Sequence, residues 1–175
     1  MNLPIVIALA AAASVPKVPM SYVVIDAVTA GEGQRKPERI AFCSEKSNCI
    51  HVPVNRYIFP IKPGTYELDH IDFFGSKSEV VRVEIGAGGI IDIEGPIVFP
   101  DGFLHMDAAE NTIHYVGVLR VFKRGFKVHI DINNDGELIK NACSKKPELF
   151  SDFPVRFEAS LDPNKEYRYR CHSVE

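Results

Sequence analysis

Long hydrophobic runs, basic clusters and recognisable catalytic signatures are all missing from this chain of 175 residues. Its one uninterrupted apolar stretch, residues 3–13, is too short to cross a bilayer as a helix, so no transmembrane span is expected. Lys and Arg number 20 against 23 Asp and Glu, and the formal net charge is −3. The densest basic cluster is only Arg120, Lys123 and Arg124. A nucleic-acid binder concentrates positive charge on one face, and that class is set aside. Gly31 and Gly33 stand in a G-x-G without the Gly-Lys-Ser/Thr ending of a phosphate loop. There is no G-x-S-x-G nucleophile elbow and no C-x₂-C metal pair. Asp92 and Glu94 alternate with Ile91 and Ile93 and read as a solvated strand face, not as a catalytic carboxylate pair. The expectation is therefore a protein without enzymatic activity.

What is present begins with the apolar run. Ala11, Ala12 and Ala13 before Ser14 satisfy the small-x-small cleavage pattern, which gives a signal peptide over residues 1–13 and a linker over 14–20. No Lys or Arg precedes the run, a departure from the usual signal. Cys43, Cys49, Cys143 and Cys171 make an even count in a chain read as exported, and four cysteines allow three pairings. Pairing Cys43 with Cys49 closes a short polar loop and leaves Cys143 with Cys171. Periplasmic or secreted localisation follows from the signal and the disulfides together.

From residue 21 onward, short alternating segments are separated by turn residues. Residues 56–74 set the pattern: two apolar-aromatic segments flank Lys62-Pro63-Gly64, where proline sets one φ and glycine supplies a positive one. Residues 79–85 and 90–99 read as strands joined by a tight glycine connection at 86–89. Residues 112–122 and 126–132 form the clearest hairpin, with Val128, Ile130 and Ile132 inward and His129 and Asp131 outward. Two polar stretches, 29–37 and 100–111, read as loops and as the places to look for partner contacts. One short helix is expected over 137–150, interrupted at Pro147. Nine or ten short strands predict an all-β domain over 21–175: an antiparallel β-sandwich with one short helix near the C-terminus.

The turn and strand PGTYEL (63–68), followed by the strand IHYVGVLRVF (113–122), is similar to small secreted or lipoprotein β-sandwich domains of bacteria. Transthyretin-like and carboxypeptidase-regulatory-like sandwiches are among them. The likeness spans residues 21–132 and rests on structural motifs. Many of these families are of unknown function, and the likeness implies a sandwich with no catalytic residues to carry over. The chain lacks the lipobox cysteine of the lipoprotein members.

Two sets of residues invite a ligand. Asp131, Asn133, Asp135 and Glu137 in DINNDGE match the opening of a calcium loop, with oxygens at alternate positions and a glycine at the bend. Calcium is accordingly the one cofactor considered. The loop's closing carboxylate is missing, because Ala142 stands at position twelve, and a strand-to-helix turn prefers the same residue types. On a strand, His70 and Asp72 share a face, as do His105 and Asp107, and each pair offers two ligands where zinc wants three or four. His114 and His129 lie on the two arms of the hairpin. The function expected is an exported, non-enzymatic envelope module that binds a protein or glycan partner or plays a structural role. The alternatives are a small metal-dependent hydrolase, built from His70, Asp72, His105 and Asp107, and a calcium-stabilised domain.

Overall fold

The computed structural model describes residues 19–30, 36–45, 48–74, 81–82, 97–99, 101–124, 127–158, 166–167 and 169–171. The signal-like segment, the loop tip at 31–35 and the glycine connection at 86–89 lie outside them. The strands are β1 (Ser21–Ala30), β2 (Pro37–Glu45), β3 (Asn48–Pro53), β4 (Phe59–Ile61), β5 (Gly64–Phe73), β6 (Val81–Arg82) and β7 (Ile97–Val98). There follow β8 (His105–Ala108), β9 (Ile113–Arg124), β10 (Lys127–Asn133), helices α1 (Gly136–Lys145) and α2 (Pro147–Asp152), β11 (Val155–Phe157) and β12 (Glu166–Tyr167).

Among the described residues two six-stranded sheets form, so the fold is all-β with short helices near the C-terminus. The first runs β12-β11-β9-β1-β4, with β10 also on β9; the second runs β3-β2-β5-β7-β6, with β8 also on β5. Their facing sides share one core, in which Val23, Ile25, Leu119 and Val121 of the first sheet meet Ile40, Phe42, Leu68, Ile71 and Met106 of the second. Period-two alternation puts these residues there: Met106 and Ala108 are buried while His105 and Asp107 between them are exposed.

Several expectations change. The sheets are mixed, because β9 runs parallel to both β1 and β11, and the described residues of β6 and β7 also pair in parallel. Parallel neighbours need a long crossover. The whole second sheet supplies it between β1 and β9, and β10 with the two helices supplies it between β9 and β11. The Lys62-Pro63-Gly64 turn joins β4 to β5 across the two sheets, because β4 pairs with β1 and β5 pairs with β2. Gly64 has φ 152°, and the Tyr66 hydroxyl donates to the Lys62 carbonyl at 3.0 Å, closing the corner. The presumed loop at 100–111 contains β8, whose four residues are too few to stand out between turn residues. The single helix is two, since Pro147 cannot continue α1 and opens α2 instead. The β9/β10 hairpin forms, with Asp131 opposite Arg120 and Ile132 opposite Leu119, but Lys123 and Arg124, expected in its connection, extend β9 and pair with Val128 and Lys127.

The helices make a third layer. Leu138, Ile139, Ala142, Cys143 and Phe150 pack on Val24, Ile113, Tyr115 and Val118, covering the side of the first sheet that faces away from the core. β9 also changes neighbours along its length: β11 pairs with its first residues and β10 with its last. Gly117 sits at that change, with φ 109°. A Cβ there would lie 2.6 Å from the Asn133 carbonyl oxygen, so only glycine lets β10 end so close.

Candidate functional site

The outer face of the second sheet carries its charged side chains in ordered rows. Strand register sets the first row: His51 of β3 and His70 of β5 both lie opposite Ala41 of β2. Ala41 is fully buried, and its single methyl leaves room for the two imidazoles to lean over it, ring centroids 5.7 Å apart. Asp72 lies opposite Arg39 in the next row. Its carboxylate meets both histidines, with Oδ1 3.5 Å from His70 Nε2 and Oδ2 3.6 Å from His51 Nδ1. The Arg39 Nε also approaches Oδ2, at 3.4 Å. His70 and Asp72 are each about one-fifth exposed, His51 about two-fifths.

A β-bulge completes the group. The register shifts between Ala41 and Phe42, where Asp69 is the extra residue on β5 between Leu68 and His70. This brings the Asp69 carboxylate 2.6 Å from His70 Nδ1. An ionised carboxylate only accepts, so Nδ1 carries the hydrogen, and a neutral ring then presents the lone pair of Nε2 toward Asp72. Candidate ligand atoms of His51, His70 and Asp72 all lie within 4.8 Å of one another, and no other trio of His, Cys, Asp or Glu does so among the described residues.

The i, i+2 pairing of His70 with Asp72 is thus present, and the third member of the cluster is His51, which sequence reasoning passed over. The signal was there: His51 falls on the polar side of the alternation Ile50, Val52, Val54, although only the register reveals which strand it faces. His105 and Asp107 also share a face, with Nε2 to Oδ1 3.3 Å. They stand apart from the first group, beside Glu67 (3.6 Å from His105 Nδ1) and Thr65, whose hydroxyl donates to Asp107 at 3.0 Å. Glu67 and His70 are separated along β5 by about 10 Å at the strand rise. The four hydrolase candidates therefore fall into two groups. His114 and His129 do not meet either: His129 stacks on Phe122, whereas His114 is fully buried and its Nδ1 lies 2.6 Å from Glu158 Oε1.

The calcium candidates belong to the opposite side of the molecule, where the hairpin runs into α1. Asp135 caps the helix: its Oδ1 accepts from the Glu137 amide at 2.9 Å, and its carbonyl accepts from the Tyr115 hydroxyl at 2.8 Å and the Leu138 amide at 3.1 Å. Glu137 pairs with Lys140 at 2.6 Å, which holds that ammonium above its usual range. Asp131 and Asn133 end β10, opposite Arg120 and Val118. Burial pushes the Tyr115 hydroxyl up to about 12, since phenolate would be stranded between sheet and helix.

Two disulfides, Cys43–Cys49 and Cys143–Cys171, take all four cysteines. The first links β2 to β3, and the second ties α1 to the segment after β12. Among the described residues no helix is long and apolar enough to cross a membrane. No protein-family model, curated protein or solved structure matches the chain.

Proposed function

We propose that this chain is an exported, non-enzymatic module of the bacterial envelope that binds a protein or glycan partner through the outer face of its second sheet. One observation carries the reading: the helices cover the corresponding face of the first sheet, while the second sheet turns His51, His70, Glu67, His105 and Asp107 toward solvent. Polar groups displayed on a rigid sheet suit recognition of a polar surface. The two disulfides suit an oxidising compartment. Separation of His70/Asp72 from His105/Asp107 favours binding over hydrolysis. The test is capture from envelope extract with the tagged chain, beside a His51→Ala/Glu67→Ala/His105→Ala variant. A stoichiometric partner held by the native chain and lost by the variant supports the reading. Equal capture by both, or capture by neither, contradicts it.

A further inference from the structure

The geometry points to a divalent transition-metal site, with zinc as its ion, formed by His51 Nδ1, His70 Nε2 and an oxygen of Asp72. This goes beyond the partner reading and does not depend on it. Four features of the face support it.

The first is spacing. Zinc bonds of about 2.0–2.1 Å at tetrahedral angles leave neighbouring ligand atoms about 3.3–3.4 Å apart. His70 Nε2 stands 3.5 Å from Asp72 Oδ1 and His51 Nδ1 3.6 Å from Oδ2, and one ligand atom from each of the three residues lies within 4.8 Å of the others. Turning the side chains to draw the three atoms together around one ion completes the shell. The second is the tautomer of His70. Metal-bound histidines commonly donate their other ring hydrogen to a carboxylate, which orients the ring and raises its basicity. Asp69 does this at 2.6 Å, placed by a bulge that costs a regular ladder position.

The third feature is Ala41. It is the central residue of the row, and a larger side chain there would occupy the space between the rings. The fourth is charge. Asp72 and Asp69 bring two negative charges and Arg39 one positive, so the group attracts a cation, while Arg39 Nε holds Asp72 Oδ2 at 3.4 Å and leaves Oδ1 toward His70. Two imidazoles with one carboxylate suit zinc, copper or nickel and are a poor set for calcium or magnesium, which prefer all-oxygen shells. Three protein ligands on a solvent-facing sheet leave the remaining position to water or to a group from a partner.

The experiment titrates Zn²⁺ into the mature chain, disulfides intact, in competition with a chromophoric chelator. One equivalent is expected to bind. His51→Ala, His70→Ala and Asp72→Ala each lower the affinity by about 100-fold or more, and Asp69→Asn, which alters no ligand, lowers it by about 10-fold. His105→Ala, on the same face, leaves it unchanged, and excess Ca²⁺ does not compete. Circular dichroism and melting confirm that each variant is folded before its titration is read. No saturable equivalent in the native chain overturns the site without recourse to any variant. So does loss of the equivalent in His105→Ala, or its retention in the folded His51→Ala/His70→Ala double variant.

Discussion

The first sheet buries both sides of its central strands, and the second buries one. β1 and β9 lie between the shared core and the helices, so Val24, Tyr115 and Val118 are as enclosed as Ile25 and Leu119. β2 and β5 have the core on one side and solvent on the other, where Arg39, His51, His70 and Asp72 stand. A side chain on the covered face is held by everything around it. One on the open face is held by its row neighbours and meets solvent, as Arg39, His51, His70 and Asp72 do through their contacts with one another. On the proposed reading stability and recognition fall to different sheets, and substitutions that separate the two can break or sharpen the contrast.

The largest effect is expected where the covered side is tied down. Replacing Cys143 and Cys171 with serine releases a crosslink spanning 28 positions and should cost about 3–4 kcal/mol in chemical denaturation. Cys43 and Cys49 span only 6, and their loss should cost about 2 kcal/mol. Equal costs would contradict a loop-entropy origin. Next is Gly117→Ala, which forces φ 109° on a residue with a Cβ and drives that carbon against the Asn133 carbonyl; about 2–3 kcal/mol should be lost. A Gly117→Ala chain as stable as the native one would show that β10 does not end as described.

Smaller effects follow at the cap. Asp135→Ala removes the acceptor for the Glu137 amide and should cost about 1 kcal/mol. The cost should be the same in calcium and in EDTA if the carboxylate serves only as a cap, whereas a loss confined to calcium would support the calcium loop. Tyr115→Phe should cost about 1 kcal/mol near neutral pH through the lost hydrogen bond to Asp135. The tyrosine also sets an alkaline limit. Its folded pKa, about 12, lies above the ordinary 10.0, so the unfolded chain releases the proton first. Stability is fully present below pH 10 and declines from there to about 12. Tyr115→Phe should flatten that decline in melts recorded across the interval. The smallest changes belong to the open face: His51→Ala or His105→Ala should stay within about 0.5 kcal/mol of native stability.

Much of this division was legible in part. The β9/β10 hairpin could be read because Ile130 and Ile132 alternate with His129 and Asp131 over enough residues to define a period. The sharing of a face by His70 and Asp72 followed from the same rule. What could not be read is which distant strand lies alongside. β1 and β9 pair in parallel across most of the domain, and nothing local in SYVVIDAV names its partner, although its nearly unbroken apolar run fits a strand buried on both sides. His51 was hidden for the same reason, since its value lies in the row it shares with Ala41 and His70. In DINNDGE the composition suited both a calcium loop and a helix cap, and the register and hydrogen bonds around Asp135 show the cap.

Histidine labelling with diethyl pyrocarbonate, read by mass spectrometry with and without one equivalent of Zn²⁺, tests the contrast most directly. The account predicts rapid modification of His51 and His105, slower modification of His70, and none of the fully buried His114. Zinc should then protect His51 and His70 and leave His105 reactive. Modification of His114 as fast as His105, or zinc leaving His51 unprotected, would contradict it.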